Sequence, residues 1–184
     1  MQDNKVTIRG ARAGRDVAGR DIIHQAPRTQ MQILLERLRD QKMQEAFTDD
    51  IIDELEHYGT IAASESEEFL GLEKKLQLGE REDEIEEASE LKQFVFKKIA
   101  KHNNLEAAQE IYALLLSSVW SAFKTKVRPL IKAQRPSEEI DEAIHDAIII
   151  PIREMLDENT LRIYDREIMG FIYYLTGNCH LRWD

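Results

Sequence analysis

Cysteine is nearly absent. The 184-residue chain has a single one, Cys179. That excludes an intrachain disulfide and any zinc site built from several thiolates. No apolar run approaches the roughly 18 residues that a membrane span needs, and the N-terminus lacks the apolar core of a signal peptide. The expected compartment is a reducing cytoplasm, with no membrane partner. Basic charge is also short: 25 Lys and Arg stand against 35 Asp and Glu, a net charge of −10. A global acidic excess argues against a dedicated duplex-DNA binder, which normally carries a basic face. What is left is 42% hydrophobic and 33% charged. That composition fits one soluble globular domain, or a domain plus an arm, long enough to bury a core without staples.

The charge is unevenly placed. Residues 1–30 carry six basic and three acidic side chains, residues 45–90 carry three and seventeen, and residues 91–184 carry thirteen of each. The chain therefore divides into a basic arm over 1–28 and an all-helical domain over 29–184, whose first part is acidic. The arm nearly repeats a pentapeptide, Gly14-Arg15-Asp16-Val17-Ala18 followed by Gly19-Arg20-Asp21-Ile22-Ile23. A period of five suits neither a helix nor simple strand alternation. β-Favouring residues between glycines point to a short hairpin or extended strand pair. Two strands alone are marginal in water, so the arm needs another chain or domain to lie on.

Beyond Pro27 the pattern is helical. Met31, Leu34, Leu35 and Leu38 form one apolar stripe. Thr48 with Asp49 and Asp50 reads as a helix start that Gly59 closes. Phe69, Leu72 and Leu76 mark a helix with Gly79 as its C-cap. Residues 80–103 read as a long helix, acidic in its first half and lysine-rich in its last turn, the order a helix macrodipole favours. Leu105, Ala108, Ile111, Tyr112, Leu115, Val119 and Phe123 give the most apolar stripe, so this segment is the expected central helix, kinked or ended by Pro129. Ser137 is the expected N-cap of the next helix, which should break or kink at Pro151. A last helix over 160–175 is expected, with Gly177 just beyond its end. Trp183 is penultimate, and a Trp so close to the end is more often docked than free, given the area it can bury. The fold class is thus mainly α: a bundle of about six to seven helices with an N-terminal Gly/Arg/Asp-rich, β-hairpin-like arm.

Chemistry is harder to find. The five histidines are scattered, with no His-Glu-x-x-His pattern. Cys179 and His180 are adjacent, so on an extended segment they face opposite ways and make a poor nucleophile–base pair. The arm's glycines lack the Gly-Lys-Ser/Thr of a phosphate loop. Glu80, Asp83, Glu84 and Glu87 have pairwise i, i+3 and i+4 spacing but no accompanying histidine. They suit a solvated or partner-facing acidic surface better than a metal site. No catalytic residue, cofactor or metal is expected. The arm's arginines could touch phosphates, although Asp16 and Asp21 directly follow Arg15 and Arg20 and suit pairing across strands as well.

Two stretches carry a family resemblance. The arm, Ala13-Gly14-Arg15-Asp16-Val17-Ala18-Gly19-Arg20-Asp21-Ile22, is similar to a short element found near adaptor regions of bacterial conflict systems. The end, from Ile168 through Gly170-Phe171-Ile172-Tyr173-Tyr174-Leu175-Thr176-Gly177-Asn178-Cys179-His180 to Trp183, resembles the closing helix and tail of C-terminal adaptor domains of ABC three-component antiphage systems, the Lamassu type among them. The resemblance implies partners, an SMC-like ABC ATPase and an effector, often a nuclease; the adaptor would tie the two together and hold the effector inactive until the ATPase senses foreign DNA ends. Because no effector domain precedes the arm, it leaves open a free-standing adaptor, a middle component or a fragment of a longer effector.

The function expected on these grounds is a non-enzymatic scaffold subunit. Arg15, Asp16, Val17, Arg20, Asp21 and Ile22 of the arm would pair with another chain. Glu80, Asp83, Glu84 and Glu87 would form one docking face. Thr176, Gly177, Asn178, Cys179, His180 and Trp183 would close the core or an interface. The alternative is a nucleic-acid-binding accessory protein that uses the basic arm, with DNA contact otherwise made only as part of the complex. A small helical enzyme using Cys179 or the carboxylate row, and a self-associating helical protein, are further readings.

Overall fold

The computed structural model describes residues 28–44, 71–157, 159–178 and 180–184. The β-hairpin-like arm, the helix expected from Thr48 to Gly59 and Cys179 lie outside the described residues. The rest is mainly helical, with no strand among the described residues.

The first helix, α1, spans Gln30–Gln44. Thr29 starts it with a reciprocal cap: the Gln32 N–H donates to Thr29 Oγ1 at 3.2 Å, and the Thr29 N–H donates to Gln32 Oε1 at 2.9 Å. Its stripe of Met31, Leu34, Leu35 and Leu38 is buried against the central helix. Helix α2, Leu72–Leu78, ends at Gly79 as its spacing predicts. The acidic stretch is less helical than expected. Glu80 sits in a left-handed turn with φ 57°, Glu82–Glu84 form one 3₁₀ turn, and α3 proper is Ile85–Lys101. Helix α3 keeps the expected charge order, with Glu86 and Glu87 in its first turn and Lys98 and Lys101 in its last.

The central helix, α4, runs over 106–132 and is not broken by Pro129. It consists of Glu106–Ala122, a π turn at Phe123–Val127 and a final Arg128–Lys132 segment. The next helix, α5, over 137–156, repeats the device: Ser137–Ile144, a π turn at His145–Ile149, then Ile150–Leu156 past Pro151. In both, the residue just before the proline closes the wide turn, Arg128 onto the Phe123 carbonyl and Ile150 onto the His145 carbonyl.

The buried residues explain why. In α4 they are Ile111, Leu115, Val119, Phe123 and Val127, and in α5 Ile140, Ile144, Ile148, Ile152 and Leu156. Each set recurs every four residues. In a helix of 3.6 residues per turn that spacing drifts by about 40° per step. A π turn takes up an extra residue and swings the stripe back onto the core. The same extra residue gives each proline ring room inside a helix it would otherwise end.

Three further expectations need correction. Pro136, not Ser137, is the N-cap of α5, and the Glu139 and Ile140 N–H groups bond its carbonyl. The last helix, α6, is Asp165–Gly177 and starts later than the apolar pattern suggests. Asn159 folds back first: its Oδ1 accepts from the Ile163 N–H at 2.7 Å and its Nδ2 donates to the Ile163 carbonyl at 2.8 Å. Asp157, Asn159 and Arg162 all take positive φ in this loop, and the Arg162 carbonyl is held by Lys98 Nζ. Gly177 belongs to the helix, which Asn178 caps. A Cβ on Gly177 would lie 2.5 Å from Lys92 Nζ, the far end of a flexible side chain that can swing aside, so neither a turn nor close packing demands glycine there.

Helix α6 lies along α3 in the most extensive helix pair of the fold and also touches α4. Gly170 sets the approach: a Cβ there would stand 2.6 Å from Val95 Cγ2 and 3.1 Å from the Leu91 carbonyl oxygen. Among the described residues one continuous core joins α1 to α6 and the tail. Among the described residues no helix is long and apolar enough to cross a membrane.

Candidate functional site

The C-terminal tail and the start of α3 meet at one corner of the bundle. Asn178 continues the backbone bonding of α6, and the His180 and Leu181 N–H groups both reach the Leu175 carbonyl, which turns the tail back along the helix. Leu181 and Trp183 are buried. The Trp183 ring meets Phe123 edge-on at 5.2 Å, and its Nε1 donates to Thr176 Oγ1 at 3.1 Å. Thr176 in turn donates to the Ile172 carbonyl at 2.8 Å. Gly79 lies beneath, where a Cβ would come within 2.9 Å of Trp183 Cβ. The buried Lys75 donates to the Thr176 carbonyl at 2.7 Å and places its charge at the C-terminal, negative end of α6.

Arg81 organises the polar side of this corner. Its side chain is 7% exposed, and its guanidinium carbon lies 5.1 Å from the Trp183 ring centre. It pairs with Glu84 at 2.5 Å and with Asp141 of α5. Tyr173 of α6 donates to the second Glu84 oxygen at 2.9 Å. Burial disfavours the Arg81 charge, but the bonds and charges of Glu84 and Asp141 outweigh it and hold the guanidinium above its ordinary range. Burial, then the Glu84 charge, pushes the Tyr173 hydroxyl up. The turn before α3, helix α5 and the α6–tail segment, far apart in sequence, are thereby joined around one cation.

This geometry divides the predicted acidic face. Glu84 turns inward and is bonded within the fold. Glu80, Asp83 and Glu87 stay exposed, with Glu82, Glu86 and Glu90 beside them. Of the predicted tail set, Thr176, Asn178 and Trp183 lie in or against the core, Gly177 lies under Lys92, and His180 is half-buried. The arm residues Arg15, Asp16, Val17, Arg20, Asp21 and Ile22, together with Cys179, fall outside the described residues. Arg81, Asp141 and Tyr173 are the members that sequence reasoning missed. Arg81 was visible as the lone arginine in a run of acids, but its reach to α5 and the tail has no local signature.

A second polar knot lies at the far end of α3. Lys98, facing Glu167 at 3.5 Å, has its pKa lowered by burial, which the Glu167 charge partly offsets. Tyr112 stacks near His102 and bonds its Nδ1 at 3.0 Å. Burial raises its pKa. An open groove of about 750 Å³ runs between α2, α3 and α6, lined by Leu72, Lys92, Phe96 and Tyr174 among others. Among the described residues no group of three His, Cys, Asp or Glu side chains converges as metal ligands would.

No curated protein and no solved structure matches the chain. The family model for C-terminal domain 9 (CTD9) of the ABC-three component (ABC-3C) systems matches residues 71–183. That span takes in α2 through α6, the Arg81 corner and the tail as far as Trp183; the arm lies outside it. The chain therefore belongs to the CTD9 family of ABC-3C systems, and so to a component of a defence system that works in a complex with partner subunits.

Proposed function

We propose that the chain is a non-enzymatic adaptor of its system, in the manner of the Lamassu type or as a middle component. It links or restrains a nuclease-type effector against an SMC-like ABC ATPase. The observation that carries this reading is the Arg81 corner. Arg81, Glu84, Asp141 and Tyr173 bond one another, Arg81 Nη1 alone of the guanidinium nitrogens being without a partner among the described residues, and the guanidinium packs over the Trp183 ring of the tail, so they serve as a structural lock. The carboxylates left over, Glu80, Asp83 and Glu87, stand exposed in an outward row. Such a row steers and orients a basic partner surface more than it adds affinity. The arm supplies a second contact by strand pairing with another chain.

The test is capture of the full chain from its native host, with mass spectrometry of what accompanies it. Near-stoichiometric recovery of an SMC-like ATPase and an effector supports the adaptor. A chain that comes out alone overturns it. The triple variant Glu80→Lys, Asp83→Lys, Glu87→Lys alters only exposed positions. It should fold normally and lose at least one of the captured partners.

A further inference from the structure

The even charge balance of the C-terminal half conceals a segregation. Between Glu110 and Glu138 the chain has no acidic residue, yet it carries Lys124, Lys126, Arg128, Lys132 and Arg135. The first four lie in the second half of α4, and Arg135 lies just beyond it. Arg135 is held by Glu139 through two bonds of 2.8 and 2.9 Å. Among the described residues none of the other four is in an ion pair. Lys124, Lys126 and Lys132 are exposed, and Arg128 is half-buried. A chain with ten excess negative charges has carboxylates to spare, yet none among the described residues is placed against these four.

Their arrangement is regular. Lys124, Arg128 and Lys132 recur every four residues along one flank of α4, and Trp120 extends the row by one step. The Lys124 ammonium rests 4.4 Å from the Trp120 ring centre, which fixes the start of the row. Ser117, Ser121 and Thr125 recur at the same interval; they are exposed and line the edge of the groove between α4 and α5, where the Thr125 hydroxyl donates to the Ser121 carbonyl at 2.8 Å. Lys126 stands on the other flank, beside the groove between α4 and α5. The result is a helical ridge with cations on both flanks, a hydroxyl row at the edge of the α5 groove and no carboxylate of its own.

Hydroxyl, ammonium and guanidinium groups are the side chains that hold nucleic-acid phosphates, and such contacts carry no sequence information. The ridge has no open aromatic platform for unpaired bases, because Lys124 covers Trp120; single-strand binders rely on such platforms. The major groove of B-DNA admits an α-helix, whereas that of A-form RNA is too narrow for protein to read. We infer that the second half of α4 is a docking ridge for the phosphate backbone of duplex DNA, bound without regard to base sequence. This inference is independent of the adaptor reading, and it places DNA contact on α4, not on the arm. The net charge keeps the interaction weak, in the range of about 10⁻⁴ to 10⁻⁶ M typical of non-specific binding at physiological salt.

The test is a titration of the full chain against a mixed-sequence DNA duplex over a series of salt concentrations. Four phosphate contacts give a slope of log K on log salt of about −3.6. The variant Lys124→Gln, Lys126→Gln, Lys132→Gln leaves one such contact and should bring the slope to about −0.9, with an unchanged thermal melt showing that the fold is intact. A second variant, Arg15→Glu with Arg20→Glu, probes the arm. Loss in the ridge variant supports the ridge whatever the arm variant does. Undiminished binding in the ridge variant overturns the inference. So does absence of binding at low salt, equal binding of single strands or duplex RNA, or capture of an acidic protein through these lysines with no DNA affinity.

Discussion

The Arg81 corner and the α4 ridge are both rich in charge, and the fold treats them in opposite ways. At the corner one guanidinium binds two carboxylates, lies over an indole and shares Glu84 with a tyrosine from another helix. On the ridge four cations stand without a counter-charge among the described residues. Charge count therefore says little about role, and pairing says much. Paired charge at a buried corner fixes how helices meet. Unpaired charge on an exposed surface adds little to folding and is free to meet something else.

The comparison can be tested from either side. The largest effect should come from Trp183→Ala. It removes the ring that contacts Phe123, Thr176 and Arg81 at once, and truncation of a buried Trp costs about 3–5 kcal/mol. Urea unfolding followed by circular dichroism measures it. Arg81→Leu should cost somewhat less, about 2–3 kcal/mol. Breaking a fully buried ion pair costs more, but Asp141 is half in solvent and recovers its hydration. A loss under about 0.5 kcal/mol would make the corner no more integrated than the ridge.

Alkaline pH should sharpen the contrast further. Tyr112, Tyr173 and Tyr174 all have their hydroxyls pushed up by burial. In the unfolded chain they ionise near pH 10. A raised folded-state pKa contributes stability that is present below about pH 10 and lost as pH rises through the folded value. Stability should thus fall steeply above pH 10, and Tyr173→Phe should shallow that fall when unfolding is measured at successive pH values. The smallest effect should come from the ridge. Lys124→Gln, Lys126→Gln and Lys132→Gln should each change stability by less than about 0.5 kcal/mol. A large loss would mean that the lysines are tied into the fold after all.

Much of the fold was legible locally. The stripes of α1 and α4 follow from apolar spacing, and the Gly79 stop follows from composition. The family resemblance rested on the residues of α6 and the tail, which lie within the matched span. What escaped depends on contacts between distant segments. Nothing near Glu84 says that Tyr173 will donate to it, so it read as part of an outward face. Gly170 carries no turn signal, and its role exists only against Val95 and Leu91. Pro129 and Pro151 read as kinks or breaks because proline usually kinks or ends a helix. The recurrence of apolar residues every four positions, not at the mixed three-and-four rhythm of an α-helix, was the available sign that a wide turn would absorb them.

Those wide turns bear on how the chain can change in length. A helix normally cannot lose a residue, because everything downstream rotates by about 100° and the core face turns to solvent. A π turn holds one residue beyond the α count. Removal of one residue within Phe123–Val127 or His145–Ile149 closes the turn to ordinary α geometry and leaves the faces before and after it nearly in phase. Helices α4 and α5 thus each carry a point where descent can delete a single residue and keep the core face, once the proline that uses the wide turn is replaced, and alignments of relatives should place their gaps there.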